Sequence, residues 1–247
     1  MVGSTWWDAI AKGHSRDPQA LYAIAKLYQQ QNKHQQAVLA LRDYVEKSRH
    51  KAKALIVLAK AQIKAKDSLG AEKSYKKAII ADDSYLPAYI GLVNLTIKNK
   101  NEAFSLSLIS SISDLTESPS LTAVLKGDLY LALGDTKQSI KFYQAALKTS
   151  DQKQAILGLY RSYRLDDKQS RVIKPLQKWM KKYPNDMLVA IALADSYKGA
   201  EKYQKSADYY QELMQKFGPL PILLNNSASV EFTLGNTAKA KQYAEQA

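Results

Sequence analysis

A small residue set in an amphipathic helical pattern recurs at Ala37, Ala71, Ser105, Ser139, Val172, Ser206 and Ala240, at spacings of 34, 34, 34, 33, 34 and 34. A fixed period constrains a chain more than local propensity does, because every period must be one copy of the same supersecondary unit. Four residues after each small residue stand Leu41, Tyr75, Ile109, Tyr143, Leu176, Tyr210 and Ala244. Three further on stand Tyr44, Ala78, Ile112, Ala146, Trp179, Leu213 and Ala247. Steps of four and three put each trio on one helix face.

An earlier helix in each period carries a second register. It leads with Leu21, Leu55, Tyr89, Ala123, Ile156, Ala190 and Leu224. A mostly small slot follows at Ala25, Ala59, Val93, Gly127, Tyr160, Ala194 and Ala228. Small side chains let two helices approach closely, and larger ones fill the gaps between them. Turn pieces such as Gly134-Asp135, Asp166-Asp167 and Gly235-Asn236 separate the two helices. Asp17-Pro18, Ser118-Pro119, Tyr183-Pro184 and Gly218-Pro219 separate the periods, since proline blocks helix continuation.

Helix–turn–helix units of this length with large–small alternation resemble the tetratricopeptide repeat family. The resemblance implies an all-α fold: antiparallel helix pairs stacked into a right-handed superhelical solenoid. It divides the chain into Met1–Ser4 as an expression remnant, 5–18 as the tail of a preceding repeat helix, and 19–247 as one continuous array. That array holds six complete units and a shortened seventh. The last helix has no cap and is expected to fray. Val93 and Tyr160 in the small slot, and Lys126, where the family favours leucine, depart from the pattern.

Composition agrees with helices: ten glycines and seven prolines in 247 residues are few for a β-rich or α/β chain. Cysteine is absent, which excludes disulfides, thiolate metal sites and a cysteine nucleophile. No apolar run is long enough for a membrane-spanning helix. Catalytic patterns are lacking. His14, His34 and His50 show no metal-ligand spacing, and no phosphate-cradling or nucleophile-elbow motif occurs. Asp82-Asp83 and Asp166-Asp167 fall in turns, where aspartate bonds its own backbone. The chain is read as no enzyme, with no cofactor and no metal site. Asn94-Leu95-Thr96 and Asn225-Asn226-Ser227 match a glycosylation pattern, but both sit inside expected helices.

Thirty-six basic residues face 23 acidic ones, for a net charge of +13. Residues 1–100 carry 17 basic and 8 acidic groups (+9), residues 101–200 carry 14 and 10 (+4), and the rest balance at 5 and 5. Charge of this kind speaks to solubility and attraction for anions, not to fold.

In the family resembled, the first helix of each unit lines a concave groove that takes a partner segment. Mapped onto this chain, the groove residues are Tyr22, Lys26 and Gln29, then Lys60 and Lys64, then Asn94 and Lys98. Asp128, Arg161, Arg164, Asp195, Lys198 and Asn225 continue the track. Its cations suit carboxylates or other anions. Some adaptor members clamp a C-terminal carboxylate with a fixed lysine–asparagine set. Here Tyr22, Ile56, Lys26 and Lys60 occupy those slots, and only Asn94 matches by type.

The implied partner is another protein or a peptide segment. No small-molecule substrate is expected, and self-association stays open. Nucleic acid is disfavoured, since most tyrosines fall in packing slots rather than on stacking platforms. Membrane contact would come only through an N-terminal anchor outside this sequence.

Two stretches are similar to a narrower group. They run from Lys174-Pro175-Leu176 through Tyr183-Pro184-Asn185-Asp186 to Asp195-Ser196-Tyr197, and from Pro221 to Asn226. The group is the repeat-bearing lipoproteins of bacterial PEP-CTERM/exosortase and exopolysaccharide clusters. That likeness implies a periplasmic or outer-membrane-anchored scaffold in a Gram-negative envelope, for exopolysaccharide or surface-protein export. A cytosolic adaptor for an acidic peptide, and a polyanion binder using the basic N-terminal half, are the alternatives.

Overall fold

The computed structural model describes residues 17–247; the Met1–Ser4 remnant, the Trp6–Ile10 helix tail and His14 lie outside the described residues. Among the described residues there are fourteen α-helices and no strand. Contacts divide the chain into two compact units, one ending at Glu117 and one beginning at Ser118.

Unit one stacks three helix pairs. They are α1 (Pro18–Gln30) with α2 (His34–Lys47), α3 (Lys51–Lys64) with α4 (Ser68–Ala81), and α5 (Leu86–Lys98) with α6 (Glu102–Leu115). Unit two stacks four. They are α7 (Pro119–Leu133) with α8 (Thr136–Thr149), α9 (Lys153–Leu165) with α10 (Ile173–Lys182), α11 (Met187–Gly199) with α12 (Tyr203–Phe217), and α13 (Pro221–Thr233) with α14 (Thr237–Gln246). A 3-10 turn, Gln169–Val172, leads into α10. That turn accompanies the one 33-residue spacing. The last helix, α14, runs to Gln246.

Every pair turns through one left-handed residue: Asn32, Lys66, Lys100, Gly134, Asp167, Glu201 or Gly235, with φ between 51° and 85°. The next residue's N–H bonds back to the helix, as from Lys33 to Tyr28 O, Asp67 to Gln62 O and Lys202 to Tyr197 O. This six-to-one closure satisfies carbonyls that a helix end otherwise leaves open. Side-chain caps by Asp67, Asn101 and Asp135 then start the second helices. The turn sequence therefore fixes the antiparallel pairing locally, before any packing.

The repeated small positions are buried, from Ala37 through Val172 to Ala240. Where serine fills the slot its hydroxyl is satisfied: Ser105 bonds Thr96 at 2.8 Å, Ser139 bonds Ser162 at 2.8 Å, and Ser206 donates to Ala194 O at 2.8 Å. Tyr75, Tyr143, Tyr163, Tyr197 and Tyr210 are core, as their slots imply.

Tyr160 departs from the register read in the sequence. The tight approach in α9 is made by Gly158, where a Cβ would lie 2.3 Å from Tyr143 Cζ. The ring of Tyr143 fills the space that a side chain there would need, and Tyr160 turns outward to α11.

Candidate functional site

Five of the basic and amide residues that the sequence places in the groove of unit one are exposed along its first helices: Lys26 on α1, Lys60 and Lys64 on α3, Asn94 and Lys98 on α5. Lys26, Lys60 and Asn94 share one register, 34 residues apart; Lys64 and Lys98 share another, one turn further on. None of the three helices carries an aspartate or glutamate. Lys26 Nζ lies 4.9 Å from the Tyr22 ring, which in turn packs on Tyr44 at 5.4 Å. Tyr22 and Gln29 are half-buried, and Gln29 carbonyl accepts the turn bond from Asn32. Among the described residues these lysines make no ion pair, and their side chains are exposed.

The same register in unit two reads Asp128, Arg161, Asp195 and Ser229, and here the charges answer one another. Asp128 on α7 accepts from Tyr143 Oη at 2.5 Å and Gln154 Nε2 at 2.6 Å, with Arg161 Nη2 at 3.8 Å. Burial nevertheless raises its carboxyl above the usual range, against the pull of those donors and of Arg161. Asp195 on α11 accepts the Tyr160 phenol and lies 4.0 Å from Arg164 Nη1, which also donates to Tyr160 Oη at 3.2 Å. Burial and then the Asp195 carboxylate push the Tyr160 phenol far up. Lys198 Nζ donates to Ser229 Oγ at 2.6 Å, which ties α11 to α13. Asn225 is exposed on α13.

The structure thus brings Asp128 to Arg161 and Asp195 to Arg164, and among the described residues no counter-charge stands at Lys26, Lys60, Lys64 or Lys98. Among the described residues, then, the first-helix row of unit one carries cations and no carboxylate, whereas that of unit two mixes both signs. Hydrogen bonds across 26 to 35 residues hold the first helices of unit two side by side.

Between α9 and α11 the structure opens a hollow of about 530 Å³. Leu157 and Tyr160 line one wall, Leu188, Ile191 and Ala192 the other, with Lys153, Gln154 and Arg161 at its rim. Leu188 is 52% exposed. Sequence reasoning found Arg161 here and missed the apolar floor. The available signal was Leu157 and Ile191, apolar residues one period apart beside the core register.

Among the described residues no cluster of His, Asp or Glu could hold a metal ion, and no helix is long and apolar enough to cross a membrane. His34 begins α2 and His50 precedes α3. Asn94 and Asn225 both lie inside helices.

A family model described as a tetratricopeptide repeat-like domain matches residues 1–168. The chain belongs to this family. A tetratricopeptide repeat protein from Parabacteroides merdae superposes with a TM-score of 0.64 at 13% identity, over 93% of this chain and 91% of its own. PilW, a type IV pilus biogenesis factor, superposes at 0.61 with 16% identity, over 81% of this chain and 93% of its own. The APC/C hetero-tetramer Cut9–Hcn1 contains a chain that superposes at 0.61 with 13% identity, over 92% of this chain and 44% of its own. Identities this low establish a shared fold and nothing finer. No curated protein matches the chain. Tetratricopeptide repeat folds are generally protein-interaction scaffolds, and an all-helical solenoid is what this sequence builds.

Proposed function

We propose that the chain is a non-catalytic scaffold that holds a segment of a partner protein along its first-helix faces, and that unit one selects an acidic segment. One observation carries the reading. Lys26, Lys60, Lys64 and Lys98 are exposed on three adjacent first helices that bear no carboxylate. A cationic row without internal partners has its favourable electrostatics still to be made, and a chain of carboxylates makes them without leaving a buried charge unpaired. Nucleic acid fits less well, because the aromatic on this face, Tyr22, is half-buried against Tyr44 with Lys26 over it. The shifted groups of unit two are each tied to a structural partner, Tyr143 to Asp128 and Tyr160 to Asp195, so they support packing rather than proton transfer.

For context we favour the bacterial envelope, in exopolysaccharide or surface-protein export. The support is the similarity of the Lys174–Tyr197 and Pro221–Asn226 stretches to the PEP-CTERM/exosortase-associated lipoproteins. A cytosolic adaptor is the competing reading.

The test is capture of partners from separated periplasmic and cytoplasmic extracts, with elution in rising salt. A discrete acidic protein retained at about 0.3 M salt, where exposed charges are screened beyond roughly 6 Å, supports the scaffold. Material consisting only of nucleic acid or polysaccharide, lost below that salt, makes the net charge the binding principle instead. The double reversal Lys60→Glu with Lys64→Glu should abolish capture; a folded double variant that binds unchanged removes the basic face from consideration.

A further inference from the structure

The hollow between α9 and α11 has a chemistry of its own. Its floor is aliphatic and its rim is basic. The carboxylates that neutralise that rim are recessed behind it. Lys153 pairs with Asp186 at 2.7 Å, with the lysine side chain 48% exposed and the aspartate 10%. Arg161 and Asp128 stand at 49% and 17%. Asp186 is engaged further by Trp179 Nε1 and by the N–H of Val189. The bases are thus anchored from below and still present donors to solvent. Arg161 reaches Asp128 through one nitrogen at 3.8 Å and also acts on the Tyr143 hydroxyl, while about half of its side chain stays exposed. Tyr160, pinned by its bond to Asp195, is a fixed wall rather than a mobile lid.

We infer that this hollow is an anchor site for an extended partner segment in which one bulky aliphatic side chain is flanked, two residues away on each side, by carboxylates. The spacing follows from the geometry. Lys153 and Arg161 are eight residues apart on one helix, about 12 Å at 1.5 Å per residue. In an extended chain alternate side chains face the same way, so residues i, i+2 and i+4 point at the surface. Their outer pair is about 13 Å apart. The outer carboxylates meet Lys153 and Arg161, and the central side chain covers Leu157, Leu188 and Ile191. Charge and span together choose this occupant over a basic or uniformly apolar one. The inference rests on reading first-helix faces as binding surfaces, but on residues separate from the lysine row of unit one.

The probe is a capped peptide containing Asp-Ser-Leu-Ser-Asp, titrated into the full chain with methyl-labelled leucine and isoleucine and read by NMR. Saturable shifts at Leu188 and Ile191 are expected. Replacing the probe's leucine by alanine, or both aspartates by lysine, should weaken binding about tenfold or more. Leu188→Asp should weaken it about tenfold while the helix persists, since Leu188 is half-exposed in the first turn of α11, where an acid is tolerated. Lys60→Glu with Lys64→Glu should leave the probe's affinity unchanged. The inference is overturned by absence of saturable shifts at millimolar probe, by equal binding of the lysine-flanked probe, or by unchanged affinity in folded Leu188→Asp. If these fail while the unit-one reversal still abolishes partner capture, the hollow falls and the basic face stands.

Discussion

Replacing Lys66 by glycine should stabilise the protein, although it deletes a side chain and puts the poorest non-proline helix former beside a helix. Lys66 sits at φ 62° in the turn between α3 and α4 and is exposed, and among the described residues its side chain makes no hydrogen bond or ion pair. A left-handed backbone costs an L-residue about 1–2 kcal/mol, through the contact of Cβ with the following carbonyl. Glycine avoids that contact but gives up about 0.5–1 kcal/mol of extra chain entropy on folding. The balance is a gain of about 0.5–1 kcal/mol at Lys66. Lys100 (φ 55°) and Glu201 (φ 59°) occupy the same position and should gain alike. Asn32 should gain less, because asparagine tolerates this region. The reverse change at Gly134, where nothing lies within 4 Å of an added Cβ, isolates the backbone contribution; Gly134→Ala should lose about 1 kcal/mol. In a stacked array a local gain is shared through neighbouring interfaces, so the whole thermal transition should move. Each 1 kcal/mol corresponds to about 2–4 °C at this chain length. Circular dichroism melts of Lys66→Gly, Lys66→Ala and Gly134→Ala decide the matter. If Lys66→Ala stabilises as much as Lys66→Gly, the lysine side chain rather than the backbone was at fault, and the reasoning fails.

Gly158→Ala should destabilise by about 1–3 kcal/mol, because the new methyl would meet the Tyr143 ring, which is itself held by Asp128; a melt within 2 °C of the parent would show that the ring yields freely. Alkaline pH should also unfold unit two. Burial raises the Tyr143, Tyr160, Tyr209 and Tyr210 phenols above the ordinary value of 10.0, and neighbouring negative groups add to it. A raised pKa means that the unfolded chain releases its protons first. The stabilisation is therefore complete below pH 10 and is lost as pH climbs above it. Tyrosinate absorbance that rises smoothly near pH 10, with no accompanying loss of helix, would contradict this.

The fold was legible because it is written several times over. Any one small residue, such as Ser139 or Val172, says little, but seven at one spacing specify a helix pair and its stacking face. The turns were legible for the same reason, down to the glycine at 134 and 235. What escaped was orientation within a helix. Gly158 and Tyr160 are two residues apart, and only the position of the Tyr143 ring decides which meets the neighbouring helix and which faces out. The candidate site was half legible. Residue types at exposed positions revealed that Lys60, Lys64, Arg161 and Arg164 are cations on first helices. They did not reveal that Asp128 and Asp195 stand opposite the arginines while no described carboxylate stands opposite the lysines, because that pairing joins residues about 30 positions apart.

The difference between the two rows has an energetic logic. Equivalent residues on neighbouring first helices are separated by roughly the helix packing distance, about 10 Å. Two exposed lysines at that distance repel by about 0.4 kcal/mol in water, and less in salt, so the row Lys26–Lys60 costs little to keep open. In unit two the carboxylates of Asp128 and Asp195 are partly buried, and leaving either without its donors would cost more than an exposed repulsion does. Tyr143, Tyr160, Gln154 and the two arginines are therefore committed to structure, and what unit two offers a partner is mainly its apolar hollow and the outward edges of Lys153 and Arg161. In unit one the row Lys26, Lys60, Lys64 and Lys98 meets no carboxylate among the described residues. Selectivity for acidic segments should follow this division: reversing a lysine of the unit-one row should change affinity with little change in stability, whereas Arg164→Glu, which sets a second carboxylate beside Asp195 and removes a donor to Tyr160, should lower stability as well.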